Sequence, residues 1–329
     1  MLIGCSGSYC SGVEELVQLL CKDYEFTHLW VGQKEENAKN DGRGFDSLDE
    51  LIEYATKHYT QNYVLSRINT LEDLGKLEKR PFFLHLSIDA PLKVRFERFQ
   101  RRNGVSTLLE DFIAESDQFS FYSESVNVCN KAPIKFQVTS FGSYSTKLPN
   151  ALMKQLDYVT NGNDIKTVPN NTTPLRPNWD TYFMKLANLA ASRSNCMKRR
   201  VGCVIVRDCR VIATGYNGTP RHLLNCNSGG CPRCNSGDSK ANLHTCLCLH
   251  AEENALLEAG RDRVGSNATL YCDTCPCLTC SVKIVQTGIR EVVYSQSYRM
   301  DEASFKVLQS GGVLIRQYSL LEEPRIVTV

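Results

Sequence analysis

The chain has 329 residues, of which 42% are apolar and 22% are charged, and its formal net charge is +2. This length accommodates two domains with packed cores, and so small a net charge argues against broad electrostatic binding to nucleic acid. No apolar run approaches the roughly 20 residues of a membrane-spanning helix, and the first residues lack the basic segment of a secretion signal. We therefore expect an intracellular protein, cytoplasmic or nuclear, that binds neither membranes nor nucleic acid.

Strands and helices alternate along the first half of the chain. "MLIGCS", "PFFLHLSID" and "PIKFQVTS" are apolar runs of strand length, whereas "GVEELVQLLCKDY" and "SLDELIEYATKHY" carry apolar residues at helical spacing. Ser47 stands where the second helix needs an N-cap, and Pro91 opens the helix in "PLKVRFERFQRR". This alternation predicts an α/β domain with a largely parallel sheet over residues 1–157.

The loop after the first strand has the spacing of a phosphate-binding P-loop but lacks its key side chains. Gly7 and Gly12 are in place, while Val13 and Glu14 stand where the motif has lysine and serine or threonine. Valine cannot neutralise a phosphate, and a carboxylate at a helix N-terminus repels one. Together with "IDAPLKVRFERFQRR", the region resembles P-loop nucleoside or dephospho-coenzyme A kinases, which implies a kinase fold without catalysis. Both a ligand-free scaffold and a retained nucleotide site stay open.

A segment rich in Asn, Thr and Pro, residues 158–177, reads as a linker to a second domain over 178–329. There "WDTYFMKLANLAASRS" predicts a helix, followed by a hairpin that turns near Asp208 and Cys209. Helices and strands then alternate to the end of the chain, and Gly260 and Gly288 are expected to end two of the helices. This pattern predicts a second α/β domain with about five strands.

Twelve of the sixteen cysteines lie between Cys196 and Cys280, which indicates metal binding because no secretion signal favours disulfides. His250 and Glu252 open one helix, and Pro276 is expected at the first position of another, which carries Cys277 and Cys280. One imidazole and two thiolates would leave a fourth zinc position open, as in catalytic sites. The pattern H-x-E…P-C-x-x-C is the known signature of zinc nucleobase deaminases.

The second domain resembles the deoxycytidylate (dCMP) deaminases of the cytidine deaminase-like superfamily. The resemblance runs through "KRRVGCVIV", "GYNGTPR", "LHAEENALLEAGR", "CPCLTC" and "EVVYSQSY". It implies an α/β/α fold with a five-stranded mixed sheet. The combination with an amino-terminal kinase-like domain is similar to the fungal form of this family.

The resemblance also implies a chemistry. Zinc on His250, Cys277 and Cys280 would lower the pKa of its water to about 7, and Glu252 would carry protons while dCMP becomes dUMP and ammonia. The family further implies activation by dCTP, inhibition by dTTP, and homo-oligomers, often hexamers.

The resemblance implies substrate contacts as well. Asn217 matches a position that hydrogen-bonds the sugar hydroxyl, although a plain turn asparagine beside Gly218 explains it equally well. Arg221 and Tyr298 match candidates for the 5′-phosphate, although either could be an ordinary surface side chain.

A second group of metal-binding residue types precedes His250. Some dCMP deaminases hold a second, structural zinc, and by position its ligands match Cys196, Cys226, His244 and Cys248. Cys231, Cys234 and Cys246 are additional to that pattern, so the sequence leaves the ligand set open. The surrounding Gly-, Asn- and Ser-rich loop has too few apolar residues to fold by packing, which favours a metal over free thiols.

Two other functions remain open at this point. A zinc deaminase could act on a base in tRNA or single-stranded DNA, although such enzymes need basic tracks and aromatic platforms, and "MKRR" and "RHLL" are the main basic clusters here. A zinc-stabilised regulatory protein without activity would not need the carboxylate of Glu252 beside the metal.

Overall fold

The structure is a computed structural model whose chain divides into two compact units, residues 1–176 with 321–329 and residues 177–320. The predicted second domain, 178–329, differs from this division at its end, because the last strand joins the first unit. Residues 158–174 of the predicted linker lie outside the described residues, which are 1–32, 42–104, 106–138, 175–236, 246–297, 302–320 and 325–328.

The first unit is built on a seven-stranded parallel sheet with the order β12-β6-β5-β1-β4-β2-β3. The predicted α/β class and parallel sheet are therefore confirmed. Its strands are β1 (Leu2–Gly7), β2 (Thr27–Val31), β3 (Arg43–Phe45), β4 (Tyr63–Leu65), β5 (Phe83–Asp89), β6 (Ile134–Gln137) and β12 (Arg325–Thr328).

The helices of the first unit follow the predicted apolar spacing. In the first of them, Leu16, Val17 and Leu20 are buried and pack with Ile3 of β1. Ser47 caps the second as predicted, since its side chain accepts a hydrogen bond from the backbone of Glu50 at 3.3 Å. The helices are α1 (Val13–Asp23), α2 (Leu48–Lys57), α3 (Leu71–Leu77), α4 (Leu92–Asn103), α5 (Leu109–Phe121) and α6 (Ser125–Lys131).

The second unit contains the predicted five-stranded mixed sheet, in the order β11-β10-β9-β7-β8. The strand β7 runs antiparallel to both of its neighbours, whereas β9, β10 and β11 are parallel. The strands are β7 (Gly202–Arg207), β8 (Arg210–Tyr216), β9 (Thr269–Thr274), β10 (Glu291–Gln296) and β11 (Leu314–Gln317). The longer helices are α7 (Trp179–Ala191), α8 (Ala251–Val264), α9 (Leu278–Thr287) and α10 (Glu302–Ser310).

The turns of this unit match the sequence with one exception. Asp208 and Cys209 both have positive φ, 51° and 58°, which gives the predicted tight hairpin between β7 and β8. Gly288 ends α9 with φ 87°. Gly260 was expected to end α8, but the helical segment continues to Val264 across a kink at that glycine, with φ 66°.

Two glycines let the helices approach the second sheet closely. A Cβ atom on Gly202 would lie 2.0 Å from the carbonyl oxygen of Ala187, in α7. A Cβ atom on Gly215 would lie 2.2 Å from the carbonyl oxygen of Ala251, at the start of α8. The first turn of α8 is therefore held directly against β8, which fixes the position of the residues that open this helix.

Among the described residues, no helix combines the length and the apolar character needed to cross a membrane.

Candidate active site

Three of the predicted site residues meet where two helices begin. His250 is the N-cap residue of α8 and Cys277 is the N-cap residue of α9, while Cys280 lies one turn further along α9. The Nδ1 atom of His250 lies 3.3 Å from the Cys277 sulfur and 3.4 Å from the Cys280 sulfur. The three potential ligand atoms all lie within 4.8 Å of one another.

Backbone hydrogen bonds on both sides fix these helix starts. Leu249, directly before His250, exchanges two backbone hydrogen bonds with Gly218, at 2.9 and 3.2 Å. After β9, the Cys275 amide donates to the carbonyl of Gln296 at 2.9 Å, which anchors the loop that leads into α9. Pro276 lies just before the N-cap of this helix rather than in its first turn. These backbone contacts hold the starts of α8 and α9 next to each other and so bring His250, Cys277 and Cys280 together.

The charges at this site suit a cation. The hydrogen bond from Cys280 lowers the pKa of the Cys277 thiol to about 3, and the thiolate of Cys277 in turn raises the pKa of His250 to about 9. The N-terminus of a helix also favours a thiolate at its cap. One imidazole nitrogen and two cysteine sulfurs are zinc ligands of the usual kind, and three protein ligands leave one position for water or substrate. The donor set therefore fits a catalytic zinc.

Glu252 is placed beside this centre but is not one of the three ligand-type residues. Its side chain is only 4% exposed, in the first turn of α8. Burial raises the pKa of its carboxyl to about 7, where it can both accept and donate a proton near neutral pH. The neighbouring Glu253 instead forms an ion pair with Lys283 at 2.5 Å. The two adjacent glutamates therefore lie in different environments, one buried and one paired with a lysine.

Asn217 is buried and its side chain already makes three hydrogen bonds within the protein. Its Oδ1 accepts from the Ser194 hydroxyl at 2.7 Å and from the Val201 amide at 2.8 Å. Its Nδ2 donates to the Arg199 carbonyl at 2.7 Å. The Asn217 side chain thus holds the segment between α7 and β7 in place by hydrogen bonds. The sequence analysis did not predict this structural role. Its predicted contact with the sugar hydroxyl stays a prediction.

Of the two candidates for phosphate binding, Arg221 is among the described residues and Tyr298 is not. Arg221 is 86% exposed and pairs with Glu258 at 3.2 Å. It lines an open cleft of about 720 Å³ together with Asn225, Asn254 and others. Tyr298 lies outside the described residues. Their predicted role at the 5′-phosphate remains a prediction.

The second cysteine group also assembles. Cys196, Cys226 and Cys248 lie together with Cys234 as a fourth member, and their role as zinc ligands stays a prediction. The predicted fourth ligand, His244, lies outside the described residues. Cys234 could have been chosen from the sequence only as half of the "CPRC" pair, which does not say which sulfur faces which partner.

The amino-terminal loop shows what replaces the missing P-loop side chains. Gly12, with φ 109°, precedes α1, and the Glu14 carboxylate accepts hydrogen bonds from Arg67 and, at 3.2 Å, from Arg102. Burial alone would raise the pKa of Glu14, but the hydrogen bond and charge of Arg67 outweigh it and the pKa is lowered. A carboxylate of the chain itself therefore occupies the cationic environment that a P-loop offers to phosphate.

Comparison with known proteins is consistent with this geometry. Residues 177–296 match the family model "Cytidine and deoxycytidylate deaminase zinc-binding region". Deoxycytidylate deaminase from Saccharomyces cerevisiae is 55% identical over 332 residues, covering 100% of both chains. The Schizosaccharomyces pombe enzyme is 47% identical over 323 residues, covering 96% of this chain and 97% of its own.

Among solved structures, dCMP deaminase of cyanophage S-TIM5, in complex with dCMP and dUMP, is 32% identical and has a TM-score of 0.37. The match covers 44% of this chain and 98% of the phage protein. The two yeast relatives align through the first unit as well as the second, so the expected resemblance to the fungal form is confirmed. With a match to the zinc-binding region over residues 177–296 and relatives that match over nearly the whole length, the chain belongs to the deoxycytidylate deaminase family.

Proposed function

We propose that the protein hydrolyses dCMP to dUMP and ammonia and so supplies dUMP for thymidylate synthesis. The observation that carries this proposal is the buried carboxyl of Glu252 beside the triad of His250, Cys277 and Cys280. A purely structural zinc site has no use for an acid–base group with a pKa near 7. The named relatives identify the substrate class.

The residues divide the work between them. His250, Cys277 and Cys280 would hold zinc, which when bound lowers the pKa of a coordinated water and so supplies a nucleophile at neutral pH. Glu252 accepts the proton of the water that attacks C4 of the pyrimidine and delivers it to N3. It then takes the second proton of the former water from the hydroxyl on C4 and gives it to the amine, which leaves as ammonia as the C4 carbonyl forms. Exclusion of Glu252 from solvent keeps this proton on the reaction path.

We further propose that dCTP activates the enzyme and that dTTP inhibits it. We also propose that it is an intracellular homo-oligomer of up to six subunits. These regulatory properties rest on family membership rather than on a residue of the described chain. Light scattering of the purified protein gives the number of subunits, and initial rates with each nucleotide added give the regulation.

The substrate is tested by comparing turnover of dCMP, deoxycytidine, a single-stranded oligodeoxycytidylate and tRNA at equal concentration of target base. Ammonia release and chromatography of the product follow the reaction. We expect turnover of dCMP to exceed that of the other three by orders of magnitude. Faster deamination of the oligonucleotide or of tRNA would show that the protein acts on nucleic acid instead.

A further inference from the structure

The second cysteine group consists of two overlapping sets of four. Cys196, Cys226, Cys234 and Cys248 form one set, and Cys231, Cys234, Cys246 and Cys248 form the other. In each set the sulfur atoms lie within 4.8 Å of one another. Two tetrahedra that share two corners have six corners in total, and six cysteines are present.

The distances between the sulfur atoms are those of zinc tetrahedra. Around a zinc with bonds of about 2.3 Å to sulfur, the sulfur atoms of a regular tetrahedron lie roughly 3.8 Å apart. Cys196 and Cys234 are 3.9 Å apart in the first set, and Cys231 and Cys246 are 3.9 Å apart in the second. Cys234, shared by both sets, lies 3.9 Å from Cys246 and 4.0 Å from the other shared residue, Cys248. These distances far exceed the roughly 2.05 Å of a disulfide, and all six cysteines are free.

These cysteines form a packing cluster of their own. The cluster has Cys226, Cys231, Cys234 and Cys248 at its buried centre, with Cys196 and Cys246 packed against them. Burying this many thiols around one point stabilises the loop weakly, because thiols are small apolar groups with weak hydrogen bonds. Thiolates held by metal ions would supply the missing free energy of folding.

Hydrogen-bond donors point at the sulfur atoms, as expected for thiolates that carry charge. The Met197 amide donates to Cys226 and the Leu247 amide donates to Cys231, each at 3.4 Å. Arg233 donates to Cys246 and brings a positive charge to the cluster. Both sets thus receive donors of their own, which is the outer support that metal-bound thiolates usually have.

We propose that these six cysteines hold two zinc ions in a binuclear cluster in which Cys234 and Cys248 bridge both ions. Cys196 and Cys226 complete one tetrahedron, and Cys231 and Cys246 complete the other. Six thiolates and two zinc ions carry a net charge of −2, which Arg233 and the amide donors offset. The cluster is structural, because all four positions around each zinc are filled by protein.

Two alternatives fit the geometry less well. A single zinc in either set would use four of the six cysteines and leave the other two packed against it without a metal to bind. An iron–sulfur cluster with four cysteine ligands uses inorganic sulfide as its bridges, whereas here two protein sulfurs already stand in the bridging positions. The 4.0 Å between Cys234 and Cys248 suits a single tetrahedron, but two ions bridged by this pair would lie only about 2.3 Å apart at zinc–sulfur distances of about 2.3 Å. We therefore expect the two sulfur atoms to move closer together when both ions bind.

Zinc content of the whole chain, purified without an affinity tag and dialysed, tests the proposal. We expect close to three equivalents of zinc per chain. One zinc is held by His250, Cys277 and Cys280 together, and two are held by the cluster. A double variant, His250→Ala with Cys277→Ala, should retain two, so the cluster is counted independently of the proposed function. Two equivalents in the wild-type chain together with one in the double variant would overturn the proposal.

X-ray absorption at the zinc edge of that double variant provides a measurement that does not depend on altering the cluster. Zinc bound only to sulfur at about 2.3 Å with scattering from a second zinc is the expected result. Absence of metal–metal scattering, or nitrogen among the ligands, would rule out the bridged all-cysteine cluster. Visible absorption with bound iron would identify an iron–sulfur cluster instead and would also overturn the proposal.

Single variants locate the two ions. Cys226→Ser and Cys231→Ser should each lose about one equivalent and lower the melting temperature, because each removes a ligand from only one tetrahedron. Cys209→Ser, an exposed cysteine of the hairpin turn, is the matched control and should lose none. His244→Ala should also retain three equivalents. Loss of an equivalent in His244→Ala, or full retention in Cys231→Ser, would contradict the assignment.

Discussion

The amino-terminal loop and the metal site have the same local plan and opposite outcomes. In each, a strand leads through a short loop to a helix whose N-terminus attracts negative charge. At α1 the chain supplies that charge itself, with Glu14 held by Arg67 and Arg102. At α9 the charge is the Cys277 thiolate, which has His250 and Cys280 around it and no carboxylate within the triad. The carboxylate at α1 is thus paired with arginines of the same chain, whereas the groups at α9 are of the kinds that bind a metal.

The largest effect on turnover is expected from replacing Glu252, the proposed acid–base group beside the metal site. Glu252→Gln preserves size but removes the acid–base group, so turnover of dCMP should fall by at least about 10²–10⁴-fold while zinc stays bound. Rates and zinc content are measured on the same preparation. Glu253→Gln is the matched control, since that carboxylate pairs with Lys283. Near-normal turnover by Glu252→Gln would exclude the proposed proton transfer.

A smaller effect is expected in the segment next to the metal site. Asn217→Ala leaves the Val201 amide and the Arg199 carbonyl without their partner, which should lower the free energy of unfolding by about 1–3 kcal/mol. Chemical denaturation measures this change, with Asn267→Ala, on the surface, as control. If the variant instead kept its stability and raised only the KM for dCMP, Asn217 would act on substrate rather than on the fold.

The amino-terminal loop should bind nucleotide weakly. Without the P-loop lysine and with Glu14 already paired, ATP–Mg²⁺ should bind at millimolar strength or worse, a free energy no better than about −4 kcal/mol. Calorimetric titration of the whole chain measures this affinity, and no phosphotransferase activity should be found. A micromolar affinity that Arg102→Ala abolishes would mean that the loop still works as a nucleotide site.

The smallest effect concerns the ion pairs of Glu14 themselves. Because these side chains are partly exposed, Glu14→Gln should lower stability by less than about 1 kcal/mol at pH 7. The pKa of Glu14 is lowered in the folded chain, so its contribution is present above the unfolded value of about 4.3 and is lost as pH falls through the lower folded value. The difference between variant and wild type should therefore vanish in acid. A difference that did not decrease as the pH falls below about 4.3 would point to packing rather than charge, and Glu15→Gln serves as control.

Local patterns predicted much of this molecule. Apolar spacing located α1 and α2, and the positions of His250, Glu252, Cys277 and Cys280 relative to helix starts predicted the metal triad before any contact was known. The helices depend on residues close in sequence, where helix geometry decides which side chains meet. His250 and Cys277 are 27 residues apart, and their meeting was predicted from the deaminase signature instead.

Features that depend on distant partners were missed. Nothing in the segment that forms β12 indicates that it pairs with β6, and the partners of Cys234 depend on how a polar loop folds around sulfur atoms. The three hydrogen bonds of Asn217 were missed for the same reason, since they join the residue directly after β8 to a segment that precedes β7. Gly260 is a different case, because a glycine with positive φ interrupts a helix here without ending it.

The pairing of β12 with β6 has a consequence for how the protein is made. The strand β12, which pairs with β6 in the first sheet, leaves the ribosome only after the whole of residues 177–320. At usual elongation rates of about 5–20 residues per second, β6 waits roughly ten seconds or more with one edge unpaired. An open strand edge is a template for pairing with other chains. The nascent chain is therefore most exposed to misassembly while its catalytic unit is being synthesised, and chaperones that cover strand edges would act in that interval.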